Sequence, residues 1–112
     1  VADDDTRAGL EQARSAVAAE VSRLEADLRA VFEASQDSNA DDEHDPEGST
    51  IAYERAQLAA VLDATRRRLG DLDEALARLD SGDYGICERC GRPIPAGRLA
   101  IRPSARTCVA CA

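Results

Sequence analysis

Four cysteines gathered toward the C-terminal end, Cys87, Cys90, Cys108 and Cys111, constrain this chain more than any other feature, because they follow the spacing C-x2-C-x17-C-x2-C. Two residues between cysteines let both sulfurs of a tight turn reach one ion, and two such turns complete a tetrahedral thiolate shell. The spacing predicts one structural zinc ion per chain, held by all four. With four thiolates in place no position is left for water, so the metal is structural and not catalytic. Gly91, directly after the second cysteine, suits a left-handed backbone position that lets nearby N–H groups point at sulfur. A redox C-x-x-C pair, an iron centre and disulfides are the competing readings, and the βαβ context that a thioredoxin-like motif requires is missing.

A chain of 112 residues with two Tyr, one Phe and neither Trp nor Met has room for one domain and little material for a thick core. Its apolar residues are mostly Ala, Leu and Val, a composition that long helices use. From Leu10, the positions Val17, Val21, Leu24, Leu28 and Val31 alternate in steps of four and three, the seam along which two helices pack, with Arg14 as an interruption. A helix over residues 5–34 follows. A second seam runs through Ile51, Leu58, Leu62, Leu69, Leu72, Leu76 and Leu79, with Arg55 and Thr65 as imperfect positions. Ser49 or Thr50 is the expected cap, Gly82 the expected stop, and Gly70 an interior cost of about 1 kcal/mol relative to Ala.

Between the seams, residues 35–50 are polar and contain Asn, Pro and Gly, so they read as a turn. Each helix then offers the other the nearest apolar stripe, and the two fold back antiparallel. An intermolecular coiled coil is the alternative, disfavoured by the helix-breaking residues of the turn. The expected fold is all-α: a long antiparallel helical hairpin, or coiled coil, over residues 1–82 with an acidic tip at 35–50, and a small four-cysteine zinc finger over 83–112. A monomer is expected.

The formal charge of −8 argues against a general binder of nucleic acid or anionic membrane. Charge is unevenly spread, however. Residues 84–112 hold Arg89, Arg92, Arg98, Arg102 and Arg106 against Glu88 alone, while residues 37–47 hold Asp37, Asp41, Asp42, Glu43, Asp45 and Glu47 with no Arg. The arginine-bearing pole is small and adjoins acidic helices, which argues against sequence-specific DNA binding. No apolar run is long enough to span a bilayer, and Val-Ala-Asp-Asp-Asp lacks the basic start of a signal peptide, so a reducing cytoplasm is the expected compartment. No nucleophile stands with a base and no metal position is open, so an enzyme is not expected. His44, the only histidine, reads as an exposed turn residue and not a metal ligand.

The helical hairpin with an acidic turn, followed by Asp83-Tyr84-Gly85-Ile86-Cys87-Glu88-Arg89-Cys90-Gly91 and by Arg98-Leu99-Ala100-Ile101-Arg102-Pro103 before the final Cys-x-x-Cys, resembles the DksA/TraR family of bacterial transcription regulators. The resemblance is close over residues 80–111 and architectural over 10–80. It implies a regulator that binds RNA polymerase rather than DNA, inserts its coiled-coil tip into the secondary channel, and alters initiation complexes through acidic tip residues. A centre holding Mg²⁺ and basic residues attracts carboxylates, which suits such a tip. The family's tip pattern, Asp-x-x-Asp-x-Ala, is met only in part by Asp42-Glu43-His44-Asp45-Pro46-Glu47, and the working carboxylates expected from it are Asp42, Asp45 and Glu47. A solvated acidic turn without a specific role is the plainer reading.

Members that respond to the alarmone ppGpp use basic residues near the zinc. Arg98 and Arg102 match those positions and Arg67 is a third candidate, as contacts for alarmone or polymerase; pairing of Arg98 and Arg102 with Asp80 or Asp83 is the structural alternative. Asp71 stands where a basic residue is expected, and the chain reads as a short form without the family's C-terminal helix, so ppGpp binding is doubtful. Two other functions fit the same sequence: stimulation of transcript cleavage in the manner of Gre-type factors, and a zinc-capped coiled-coil adaptor or dimerising spacer.

Overall fold

A computed structural model describes residues 2–38 and 46–112, with side chains described for 4–34, 36 and 50–112. The fold is all-α. Helix α1 is Ala2–Ser38, α2 is Pro46–Ser81 and the short α3 is Ala96–Ile101, followed by a single 3₁₀ turn, Val109–Cys111. Among the described residues the β-type pairing is one isolated antiparallel bridge, Ile86 to Pro93, and no helix is long and apolar enough to cross a membrane. The long helices pack together as an antiparallel pair, and the chain divides into two compact units, Val1–Ala16 with Arg68–Ala112, and Val17–Arg67.

In the Val17–Arg67 unit, Val17, Val21 and Leu24 of α1 and Leu62 of α2 are buried, as the seam requires. Burying such a side chain contributes roughly 1.5–3 kcal/mol, so these few residues outweigh the polar contacts beside them. Thr65, an imperfect seam position, is also buried, and its Oγ1 donates to the Val61 carbonyl at 2.7 Å. That bond to the preceding turn of its own helix satisfies the hydroxyl without a partner across the interface. Arg55, the other imperfect position, lays its guanidinium 4.9 Å from the centroid of the Phe32 ring. Arg66 meets Glu25 at 2.8 Å from the opposite helix.

In the other unit, Leu10 of α1 and Leu72 and Ala75 of α2 are buried, Ala75 being a core position that the heptad reading missed because a methyl group is a weak apolar signal. Arg7 meets Asp80 at 2.6 Å, and Arg14, the interruption in the first seam, meets Asp73. Partner numbers fall in α2 as they rise in α1, which is the antiparallel register. These pairs are well exposed and screened by solvent, so they select register more than they stabilise.

The helices run further into the polar segment than the sequence reading allowed. Helix α1 continues to Ser38 and α2 starts at Pro46, so Ser49 and Thr50 lie within its first turns and do not cap it. Polarity alone does not end a helix: nothing in Ala34–Ser38 breaks one, and proline at a first helical position loses only an N–H that has no intrahelical partner. The stop at Gly82 is as expected. Its φ is +83°, the Asp83 amide donates to the Arg78 carbonyl at 2.8 Å and the Gly82 amide to Leu79 at 3.3 Å, the paired bonds of a Schellman cap.

The two glycines of α2 and its cap should respond in opposite directions to alanine. At Gly70 an added Cβ meets nothing within 4 Å, so Gly70→Ala should stabilise by about 0.5–1 kcal/mol. Gly82→Ala places Cβ in a left-handed conformation and should destabilise by about 1 kcal/mol. Urea denaturation midpoints of the two variants test both signs.

Candidate metal centre

The four cysteines come from two reversals of the chain. In the first, the Cys87 amide donates to the Arg92 carbonyl at 2.8 Å and the Gly91 amide to the Cys87 carbonyl at 2.9 Å, with Gly91 at φ +73°. The left-handed residue expected after Cys90 is therefore what turns the chain back. Below it, the Ile94 amide reaches the Gly85 carbonyl at 2.7 Å and closes the loop. In the second reversal, the 3₁₀ turn brings the Cys111 amide to the Cys108 carbonyl at 3.1 Å. A single backbone bond, Glu88 N–H to the Arg106 carbonyl at 2.9 Å, joins the two halves.

All four sulfurs lie within 4.8 Å of one another, and Cys90 and Cys108 are 3.8 Å apart. Thiolates about 2.3 Å from a tetrahedral zinc stand about 3.8 Å from each other, so the donor set fits that ion closely. Cys87 is buried and Cys90 is exposed. Backbone amides, chiefly those of Cys90 and Cys108, point at the Cys87 sulfur and hold its thiol down at about 6 against the opposing effect of burial. The Cys108 thiol is also lowered, first by a hydrogen bond from Cys111. That same bond, with another to Cys87 and with burial, pushes Cys111 up to about 12. Four sulfurs this close repel one another as anions. A soft divalent cation would neutralise that crowding.

The other sequence candidates are distributed differently. Arg98, on α3, is part-buried and donates from Nε to the Thr107 carbonyl at 2.8 Å, so it pairs with backbone and not with Asp80 or Asp83. Asp80 accepts from Arg7, and Asp83 accepts from the Ser81 hydroxyl at 3.1 Å. Arg102, and Arg67 in the Val17–Arg67 unit, are exposed. Asp42 and Asp45 lie outside the described residues, as does His44; Glu47 falls in the first turn of α2, and its side chain is likewise outside the description.

Sequence reasoning missed the residues that tie the finger to α2. Arg106 meets Asp71 at 2.9 Å and also Glu74, one turn further on, so the acid found where a base was expected has a cationic partner within the chain. Tyr84, half-buried at the end of the cap, donates its hydroxyl to the Pro103 carbonyl at 2.7 Å, and burial raises its phenol above the ordinary value. The i, i+3 spacing of Asp71 and Glu74 was a readable signal of a two-carboxylate face, but its partner lies 32 positions beyond Glu74 and was not.

Residues 82–112 match the family model described as the prokaryotic dksA/traR C4-type zinc finger. This C-terminal segment is thus similar to the zinc finger of the DksA/TraR family. The chain is similar in fold to the structure of transcription factor DksA2 from Pseudomonas aeruginosa, with a TM-score of 0.81 and 28% identity over 97% of this chain and 78% of that one. It is 40% identical over 52 residues to the RNA polymerase-binding transcription factor DksA of Caulobacter vibrioides, covering 46% of this chain and 37% of that protein. General stress protein 16O of Bacillus subtilis is 35% identical over 72 residues, 64% of this chain and 44% of its own length. The chain thus spans less than half the length of either of these two curated relatives.

The Arg106 contacts are partly exposed, so their contribution should be small and salt-sensitive. Arg106→Met, which keeps most of the apolar stem, should destabilise by no more than about 1 kcal/mol at low ionic strength. The difference should shrink in 1 M salt, about a 3 Å screening length, when thermal melts of variant and parent are compared.

Proposed function

We propose that this chain is a non-enzymatic regulator of transcription that binds RNA polymerase, in the cytoplasm, as a monomer. One structural zinc on Cys87, Cys90, Cys108 and Cys111 holds the finger, and the acidic segment between α1 and α2 enters the secondary channel. The observation that supports this most is the joint presence of a DksA/TraR finger and a packed helix pair, similar over nearly the whole chain to a transcription factor of that family. The similar Caulobacter protein is named for binding RNA polymerase. Asp42, Asp45 and Glu47 are the carboxylates assigned to act near the polymerase's metal centre, where fixed negative charge perturbs an Mg²⁺-dependent site. Arg102 and Arg67 are assigned to polymerase contacts. An alarmone is not part of this reading, because Arg98 directs its Nε into the finger and Asp71 faces Arg106.

Two measurements test the reading. Protein purified under reducing conditions should contain one zinc per chain by elemental analysis, Cys90→Ser and Cys108→Ser should each lose it, and acidification should weaken it because protons compete for thiolate. A wild-type chain that is metal-free and folded sinks the zinc assignment. Core polymerase should be captured by the wild type and by the triple variant Asp42→Asn, Asp45→Asn, Glu47→Gln, while only the wild type changes open-complex lifetime. Absence of capture at micromolar protein defeats the polymerase reading, and shortening of RNA in backtracked complexes transfers the chain to the transcript-cleavage class.

A further inference from the structure

The stretch from Arg102 to Cys108 lies outside any helix, yet each of its seven successive carbonyls has a donor. Arg102 accepts from the Ala105 amide at 3.0 Å and Cys108 from the Cys111 amide at 3.1 Å, within the stretch and the turn that follows it. The five between them accept from elsewhere. Pro103 takes the Tyr84 hydroxyl at 2.7 Å, Ser104 and Ala105 take Arg78 Nη2 at 3.5 and 3.4 Å, Arg106 takes the Glu88 amide at 2.9 Å, and Thr107 takes Arg98 Nε at 2.8 Å. Within the strap itself a backbone amide reaches only one of these carbonyls, Ala105 to Arg102, and Ala105, in the middle, is buried. The donors therefore decide the path of this strap, and the strap ends on the third cysteine.

From this ladder we propose that Arg98, Tyr84 and Arg78 are positioning residues for the metal centre. They fix the strap so that Cys108 and Cys111 stand where Cys87 and Cys90 can share an ion with them. Arg98 has the shortest leverage, since the carbonyl it holds belongs to the residue before Cys108. Its planar guanidinium is part-buried and directed inward at backbone, which is the behaviour of a support and not of a contact kept for solvent or a partner. Tyr84 and Arg78 stand at the end of α2, so the Schellman cap and the cysteine pair are held by one set of bonds. Partners that orient ligands in this way typically affect metal affinity 10–100-fold. The inference rests on the metal reading above.

The test is zinc transfer from the reduced, full chain to a chromophoric chelator, with Co²⁺ substitution as a spectroscopic companion. Arg98→Ala should release zinc about 10-fold faster and should shift the Co²⁺ ligand-field bands, because the thiolate geometry itself relaxes. Tyr84→Phe, which deletes one hydroxyl, should change the rate in the same direction and decides the matter if Arg98→Ala does not fold. Leu62→Ala lowers helix-pair stability and should leave rate and spectrum unchanged, as should Arg92→Ala, whose side chain is exposed. Wild-type protein without zinc overturns the metal reading and this inference together. Zinc-loaded wild type whose rate and bands are matched by Arg98→Ala and Tyr84→Phe overturns only this inference, as does equal acceleration by Leu62→Ala.

Discussion

Sulfur atoms crowded within 4.8 Å of one another are the constraint on which the finger depends. As four thiolates they repel, and as four thiols they make weak hydrogen bonds that hold little together. Backbone amides directed at Cys87 favour an anion there, while the neighbouring sulfurs raise the Cys111 thiol. A soft cation between them would offer each sulfur the same central charge. A small finger without an aromatic core, whose buried side chains are few, has no comparable source of stability.

Backbone around the cysteines is organised by the same need. Residues 85–94 form a closed loop on their own amides, whereas the strap before Cys108 relies on donors from α2, α3 and the first reversal. The two halves of the centre are therefore built differently. One is local and encoded by Gly91 and its neighbours; the other is assembled from residues far apart in the chain. Arg106 adds an exposed ionic tie between that strap and the Asp71–Glu74 face of α2.

Along the helix pair, the positions that looked defective in the heptad pattern turn out to have individual solutions. Thr65 turns its hydroxyl onto its own helix, Arg55 stacks on Phe32, and Arg14 finds Asp73. The apolar seam tolerates these residues because each polar group finds a contact, Thr65 on its own helix and the two arginines across the pair, and, among the described residues, none is left buried without a partner.

The cysteine spacing and the four-three alternation of Leu and Val were legible from residues alone. Both are local periodicities, one matched to the reach of a tight turn around an ion and the other to the pitch of a helix. The C-terminal stop of α2 was legible for the same reason, since only glycine enters a left-handed cap without strain. Helix ends in the polar segment were misread because polarity marks exposure, and an exposed residue can still be helical. What only the tertiary structure decided is the ownership of the arginines and the path of the strap. Arg98, a possible alarmone or polymerase contact from the sequence, has its Nε on a carbonyl nine residues away, and Arg78 was not singled out at all. A guanidinium has no periodicity, and its partner is whichever acceptor folding brings within reach of a long, flexible stem.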